Sequence, residues 1–294
     1  MATEKKATVR DIAKKAGVSV ATVSYVLNDK QGTKISEATR KKVLQIANLL
    51  NYSIPERYKG QEEKKGYTIG IVYQLLEDMP SRNAEVMHMV HLLAERFKRI
   101  DFVCRLLPVD DEESVVRPVS GLDGIIAIDL NKATFKKMAG NYYIPILCLD
   151  MMINDFLFYQ IHTDFEKLME EAGKALGGEF LVAMDGYCNE GYQEYIEETV
   201  GKGRLLRFTD LDKKKIAGLK GKKIAAYGEN LGIALLQYVP EEDLLIISES
   251  EARGYLRPSV KMLHNDMEKK ANLSMNIMMN ALEKKFDVKH EYKV

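Results

Sequence analysis

The sequence predicts a small all-α head followed by a larger α/β body built on parallel sheets. Three observations carry this expectation. Apolar residues recur at helical spacing through the first fifty positions, broken by a Gly. From Tyr67 onward, short β-rich runs alternate with amphipathic stretches, the pattern of parallel sheets with helices on both faces. Charge divides at the same boundary: residues 1–65 hold 14 Lys/Arg against 7 Asp/Glu, a net of +7, and with 43 of each in the whole chain the remainder carries −7. At 294 residues the chain can bury more than one core.

The head begins with Thr8 as a helix cap, with Asp11 in the first turn where the helix dipole favours an acid. Val9, Ile12, Ala13 and Ala16 form one apolar stripe, and Gly17 ends the helix. Ser19 caps a second helix whose inward positions are Val23, Val26 and Leu27. Two short helices about a Gly turn make a helix-turn-helix. Ser19, Val20, Ala21, Thr22, Ser24 and Tyr25 then lie outward or at the helix start. Ser and Thr are indifferent helix formers, so propensity does not explain them. Hydroxyls that reach phosphates or bases, and methyls that meet thymine, do explain them. The competing reading is a small packed helix without a special role. A third helix starts at the cap Ser36, with Ala38, Val43, Ile46, Ala47 and Leu50 on its apolar face and Arg40, Lys41 and Lys42 near its start. The stretch "YSIPERYKGQEEKKG" that follows reads as a linker.

"TVRDIAKKAGVSVATVSYVLN" and "ISEATRKKVLQIANLLNY" resemble the DNA-binding head of the lactose/galactose repressor (LacI/GalR) family over about fifty residues. The resemblance implies a homodimer that reads a pseudo-palindromic operator of double-stranded DNA, its second helix in the major groove and a hinge helix in the minor groove. It places Ser19, Val20, Ala21, Thr22, Ser24 and Asn28 on recognition-helix positions, and Thr8, Thr39 and Tyr52 on phosphate-contact positions. Two departures stand out. Tyr25 occupies the place where the family most often has an Arg that forks onto guanine, so the operator is expected to differ at that base pair. The hinge region has Glu62 and Glu63 and no wedge Leu; Arg57, Tyr58 and Lys59 can still approach phosphate, but strong kinking is not expected.

In the body, strands are expected at "YTIGIVY", "DFVCRLLPV", "GIIAIDL", "IPILCLD", "FYQIHTD", "EFLVAMDG", "LLRFTD", "KIAAYG" and "LLIISES". Helices are expected at Glu85–Lys98, Phe165–Leu176, Tyr192–Val200 and Asn230–Tyr238. Two α/β units fit the length. The body more faintly resembles the family's effector domain, which implies two hinged lobes like a periplasmic sugar-binding protein. "LRPSVKMLHNDMEKKANLSMNIMMNAL" looks like its last strand and final long helix, and the shortening falls around Asp185–Phe208. Ligands of such folds bind between the lobes, at the C-terminal ends of strands. There, "YCNEGY" lacks the family's Arg, Gly228-Glu229 replaces an Asn-Asp, and Glu249-Ser250 replaces an Asp pair. Gln74, Asp150 and Glu229 are the candidate ligand contacts. The effector would be a sugar, a sugar phosphate or another metabolite; the alternative is a degenerate domain that binds nothing and serves dimerisation.

Cys104, Cys148 and Cys188 form no CxxC pair and read as small apolar groups. The stretch "AEVMHMVHLLAERF" is the expected dimer helix, with the methionines in core or interface. His88 and His91 have metal spacing but no third ligand, so neither metal nor cofactor is expected. With no Gly-rich phosphate loop, GxSxG elbow, HExxH or Cys/His pair, an α/β enzyme carrying a DNA-binding head is the minor reading. The polar start and the lack of a long apolar run point to a cytoplasmic protein. The domains are therefore expected at 1–53 (helix-turn-helix), 54–66 (hinge or linker) and 67–294 (two-lobed effector-sensing and dimerisation domain).

Overall fold

The computed structural model describes residues 8–27, 35–50, 66–109, 118–155, 157–201, 203–207, 218–249, 256–284 and 289–294. Three helices make the head: α1 (Val9–Ala16), α2 (Val20–Leu27) and α3 (Glu37–Leu49). The expected caps form. Thr8 and Asp11 make a reciprocal capping box, and Gly17, at φ +66°, takes the left-handed turn that a side chain would resist. Ser19 Oγ accepts the Thr22 N–H at 3.0 Å, and Ser36 Oγ the Thr39 N–H at 3.2 Å. Ile12, Ala13, Ala16, Val23, Val26, Leu27, Val43, Ile46 and Ala47 form a separate small core. Ala38, expected on the buried face of α3, is exposed: it sits in the first turn, ahead of the residues that cross the other two helices.

The body holds two parallel sheets. The first contains β1 (Thr68–Tyr73), β2 (Val103–Pro108), β3 (Gly124–Ile128), β4 (Ile146–Leu149), β5 (Tyr159–His162) and β11 (Glu291–Lys293), in the order β11-β5-β4-β3-β1-β2. The second contains β6 (Leu181–Met184), β7 (Leu205–Arg207), β8 (Ile224–Tyr227), β9 (Leu244–Ser248) and β10 (Lys261–His264), in the order β10-β9-β8-β6-β7. Helices α4 (Pro80–Arg99), α5 (Lys132–Ala139) and α9 (Met267–Leu282) accompany the first sheet; α6 (Phe165–Leu176), α7 (Glu190–Val200) and α8 (Glu229–Leu235) accompany the second. Each sheet is covered on both faces, which is why β3, β4, β8 and β9 are continuous buried runs without alternation.

The expected strands all form within the described residues, apart from the stretch of "LLRFTD" beyond Arg207 and the last residue of "LLIISES", Ser250, which lie outside them. Helix α4 begins five residues before its expected start, because Pro80 is favourable in a first turn and its inward positions there are polar. The chain crosses to the second lobe after β5 and returns between β10 and α9, and α9 packs against α4. Among the described residues no helix is long and apolar enough to cross a membrane.

Candidate nucleic-acid interface and the cleft between the lobes

On α2 the inward row is closed and the outward row is open. Val23, Val26 and Leu27 are buried, while Ser19, Val20 and Ala21 are exposed, Val20 to 46% and Tyr25 to 39%. Thr22 and Ser24 are half-buried, and the Thr22 and Ser19 hydroxyls lie 2.9 Å apart. An exposed Val and an exposed Tyr on a helix this short contribute nothing to the head's own core. They present methyl groups and a phenol at the surface beside two hydroxyls. Thr8 is exposed at the start of α1 and Thr39 half-buried at the start of α3, its hydroxyl 2.8 Å from Ser36 Oγ. Helix N-termini carrying surface hydroxyls are suited to phosphate. Arg10, Lys14, Lys15 and Lys42 are exposed around them, and Arg40 is half-buried. Asn28, Tyr52 and Arg57, with the hinge and its Glu62 and Glu63, fall outside the described residues.

The second site lies where the C-terminal strand ends of both sheets meet. Arg82, on the first turn of α4, is buried at its centre. Its Nε donates to Asp129 Oδ2 at 3.0 Å, Nη1 to Glu85 Oε2 at 2.7 Å, and Nη2 to Asp150 Oδ2 at 3.0 Å. The guanidinium carbon stands 4.1 Å from the ring centre of Tyr187, which comes from the second lobe. Asp129 and Asp150 follow β3 and β4 with φ of +50° and +51°, a left-handed turn that Asp tolerates better than most residues. Asp150 also takes the Lys270 Nζ at 2.6 Å, and that buried ammonium reaches Thr163 Oγ1 at 2.9 Å.

Contacts from lobe to lobe surround this centre. Asp185, after β6, accepts the N–H groups of Ser81 and Arg82 at 2.8 and 2.9 Å through one oxygen, so a carboxylate of one lobe caps a helix of the other. Asn189 donates its N–H to Asp129 Oδ1 at 3.0 Å and accepts the Met152 N–H at 2.9 Å. Gly228, at φ +100°, lies so close to Ser81 that a Cβ would meet its hydroxyl at 2.1 Å.

Two cations thus face five carboxyls, and the charges respond. Burial works against the Arg82 charge, but Tyr187, Asp129, Asp150 and Glu85 more than offset it. Burial would also raise Asp150; Lys270 and Arg82 overcome it and hold the carboxyl below the ordinary aspartate range. The other four rise. Burial pushes Asp129 up to about 6 against the pull of Arg82, and likewise raises Asp185 and Glu85. Glu249 is raised well above the usual range by burial and by Glu85 across the lobe junction.

The candidate ligand residues fare differently. Asp150 faces the cleft, committed to Arg82 and Lys270 in place of solvent or turn contacts. Glu229 begins α8 half-buried and accepts from Ser248 Oγ at 3.1 Å. Gln74 is half-buried just after β1. Sequence reasoning missed Arg82, Glu85, Asp129, Asp185, Tyr187 and Lys270. Cys148 is buried, and Cys104 and Cys188 are half-buried; burial lifts the Cys188 thiol to about 12, away from reactivity. His88 and His91 lie on the outer side of α4, His88 half-buried and His91 exposed.

Residues 8–55, the helix-turn-helix head, match the family model described as "Bacterial regulatory proteins, lacI family". It is similar to catabolite control protein A of Streptococcus mutans, 43% identical over 72 residues, covering 24% of this chain and 21% of the relative. It is similar to the transcriptional repressor MelR of Bacillus subtilis, 27% identical over 271 residues, covering 85% and 75%. The alignments thus span about a fifth of the first of these relatives and three-quarters of the second. Among solved structures, a lac repressor dimer bound to operator and the anti-inducer ONPF shares the fold over 99% of this chain and 96% of its own, at 16% identity and a TM-score of 0.57. A periplasmic binding protein/LacI transcriptional regulator from Alkaliphilus metalliredigens complexed with D-xylulofuranose does so over 78% and 95%, at 14% and 0.53.

Proposed function

We propose that this protein is a sequence-specific DNA-binding transcriptional regulator, a repressor, acting as a cytoplasmic homodimer on a pseudo-palindromic operator and performing no catalysis. The observation that carries this is the open row of α2: small, methyl-bearing and hydroxyl-bearing side chains at the surface of a helix whose other row is the core of the head. A two-fold dimer would present two such helices to successive major-groove half-sites. The repressors and regulators to which the chain is similar support the same reading. Domain limits at 53 and 66 go with this reading; the cluster of buried residues in the head and the opening of the body by β1 at Thr68 support it.

The test starts by selecting bound duplexes from a random pool, which yields an operator, its symmetry and its half-site spacing. The double variant Thr22→Ala/Tyr25→Ala should then lose roughly 10- to 100-fold in affinity for that operator, while helicity and dimer mass stay unchanged. Equal affinity for operator and scrambled DNA in the parent protein would overturn the reading.

Gating by a small molecule is the family's logic, and the cleft is where it would act. A sugar phosphate suits this cleft poorly, because five carboxyls already face two cations there. The second reading, a body that binds no effector, is favoured by the burial of Arg82 among the carboxyls at the junction of the lobes.

A further inference from the structure

We propose that the cleft between the lobes is a guanidinium site that the chain fills with its own Arg82, latching the lobes together without an effector. The inference deepens the reading above by assigning the chemistry of its cleft. A guanidinium is a planar cation with donors along its edge and faces that stack on aromatic rings. Arg82 finds partners for both features. Asp129, Glu85 and Asp150 each take a separate edge nitrogen, at 3.0, 2.7 and 3.0 Å, and Tyr187 of the opposite lobe covers one face at 4.1 Å. Sugar sites place polar edges and an aromatic face around a bound ring in a comparable way; here the bound group is covalently part of the protein.

The occupant also joins the lobes. Arg82 reaches the second lobe through the Tyr187 ring, and its own backbone N–H is held by Asp185 of that lobe at 2.9 Å. Asp129, its edge partner, receives the Asn189 N–H from the second lobe at 3.0 Å. A side chain that neutralises the first lobe's carboxylates thereby prepares the surface that the second lobe closes on. Removing it leaves three buried carboxyls facing Lys270 alone, a state relieved by opening to water.

The experiment uses the full chain and two readouts that do not involve DNA: melting temperature and the radius of gyration from small-angle scattering. The Arg82→Ala variant should melt roughly 10 °C lower and scatter as a larger particle. Millimolar methylguanidinium chloride should restore both toward the parent values; methylurea, the same shape without the charge, and sodium chloride of equal ionic strength should not. The parent protein should not respond to methylguanidinium or arginine. A saturable shift in the parent would show a cleft open to outside cations and overturn the self-filled site. A variant that stays compact, or that is rescued equally by methylurea, would overturn it too. If Arg82→Ala does not fold, Tyr187→Leu removes the ring over the guanidinium and keeps the carboxylates paired, while Tyr187→Phe keeps the ring and loses only the hydroxyl bond to Tyr227: the Leu variant should scatter as a larger particle than the Phe variant, and equal radii would overturn the latch. Because no readout involves DNA, failure here leaves the regulator reading standing, and loss of operator binding leaves the latch standing.

Discussion

At the scale of single residues, the cleft depends on a few buried carboxyls whose protonation is set by their surroundings. Asp129 shows the consequence most clearly, since burial raises it from 3.8 to about 6 although Arg82 opposes the shift. A carboxyl raised by folding binds its proton in the native protein while the unfolded chain has already lost it. Between about pH 4 and 6 the native state therefore holds more protons, and this group's contribution to stability falls as pH rises through that window. Above pH 6 the full penalty remains; on acidification it is relieved. Asp150, held below the ordinary range, has the opposite sign, and its contribution is lost only at more acidic pH. Asp129→Asn removes one titration and keeps the shape. Compared with this variant in urea unfolding, the parent should gain stability as pH drops from 7 to 4.5, by on the order of 2 kcal/mol. A pH-independent difference between the two would show that Asp129 is not perturbed as described. Asp129 was legible as a type of residue: "GIIAID", "PILCLD" and "FLVAMD" each close an apolar run with Asp, at Asp129, Asp150 and Asp185. Reading that repetition would have placed three acids at one edge of the fold.

At the scale of elements, what was legible followed how local the cause is. Caps and turns depend on neighbours within four residues, and Thr8, Gly17, Ser19 and Ser36 all act as their types suggest. The capping box at α1 is worth testing because the head is so small. Thr8→Ala removes the hydroxyl that accepts the Asp11 N–H and donates to Asp11 Oδ2, leaving that N–H only the Thr8 carbonyl. The expected loss is about 1 kcal/mol of head stability, read as a lower unfolding midpoint of the head by circular dichroism, with the body's transition unmoved. Strands in the body were legible because sheets covered on both faces demand continuous apolar runs. The C-terminal strand β11 was not: "EYK" is three residues at the sheet edge, polar on its exposed positions, and exists only because β5 offers it an edge. Arg82 and Glu85 escaped notice for a related reason. They lie in line with Val86, Met89, Leu93 and Phe97 on the inward stripe of α4, where a charge signals a buried partner far away in sequence. Periodicity reveals the anomaly and cannot name Asp129, 47 positions on.

At the scale of the whole molecule, the question is whether closure of the lobes reaches the helix-turn-helix head. Gly228 gives a way to ask it without replacing a charged group. Its positive φ, and the clash an added Cβ would make with the Ser81 hydroxyl and with Ser81 Cβ at 3.2 Å, mean that Gly228→Ala strains its own turn and presses the start of α4 away from the second lobe. The variant should be larger by scattering while the head keeps its helicity. Two quantities separate local damage from coupling when its operator binding is followed over a range of salt. The slope of log affinity against log salt counts phosphate contacts, which belong to the basic head and are unaltered, so it should match the parent's. The level of the line reports how much of the population holds its two heads in register for the operator. If closure sets that register, Gly228→Ala should lower the line by about 5- to 100-fold at constant slope. An unchanged line would mean that the basic head works independently of its acidic body. A changed slope would mean that the substitution had reached the head itself. Parallel displacement is the outcome expected if, as proposed, charge binds the nucleic acid at one end and lobe closure sets the spacing of the two heads from the other.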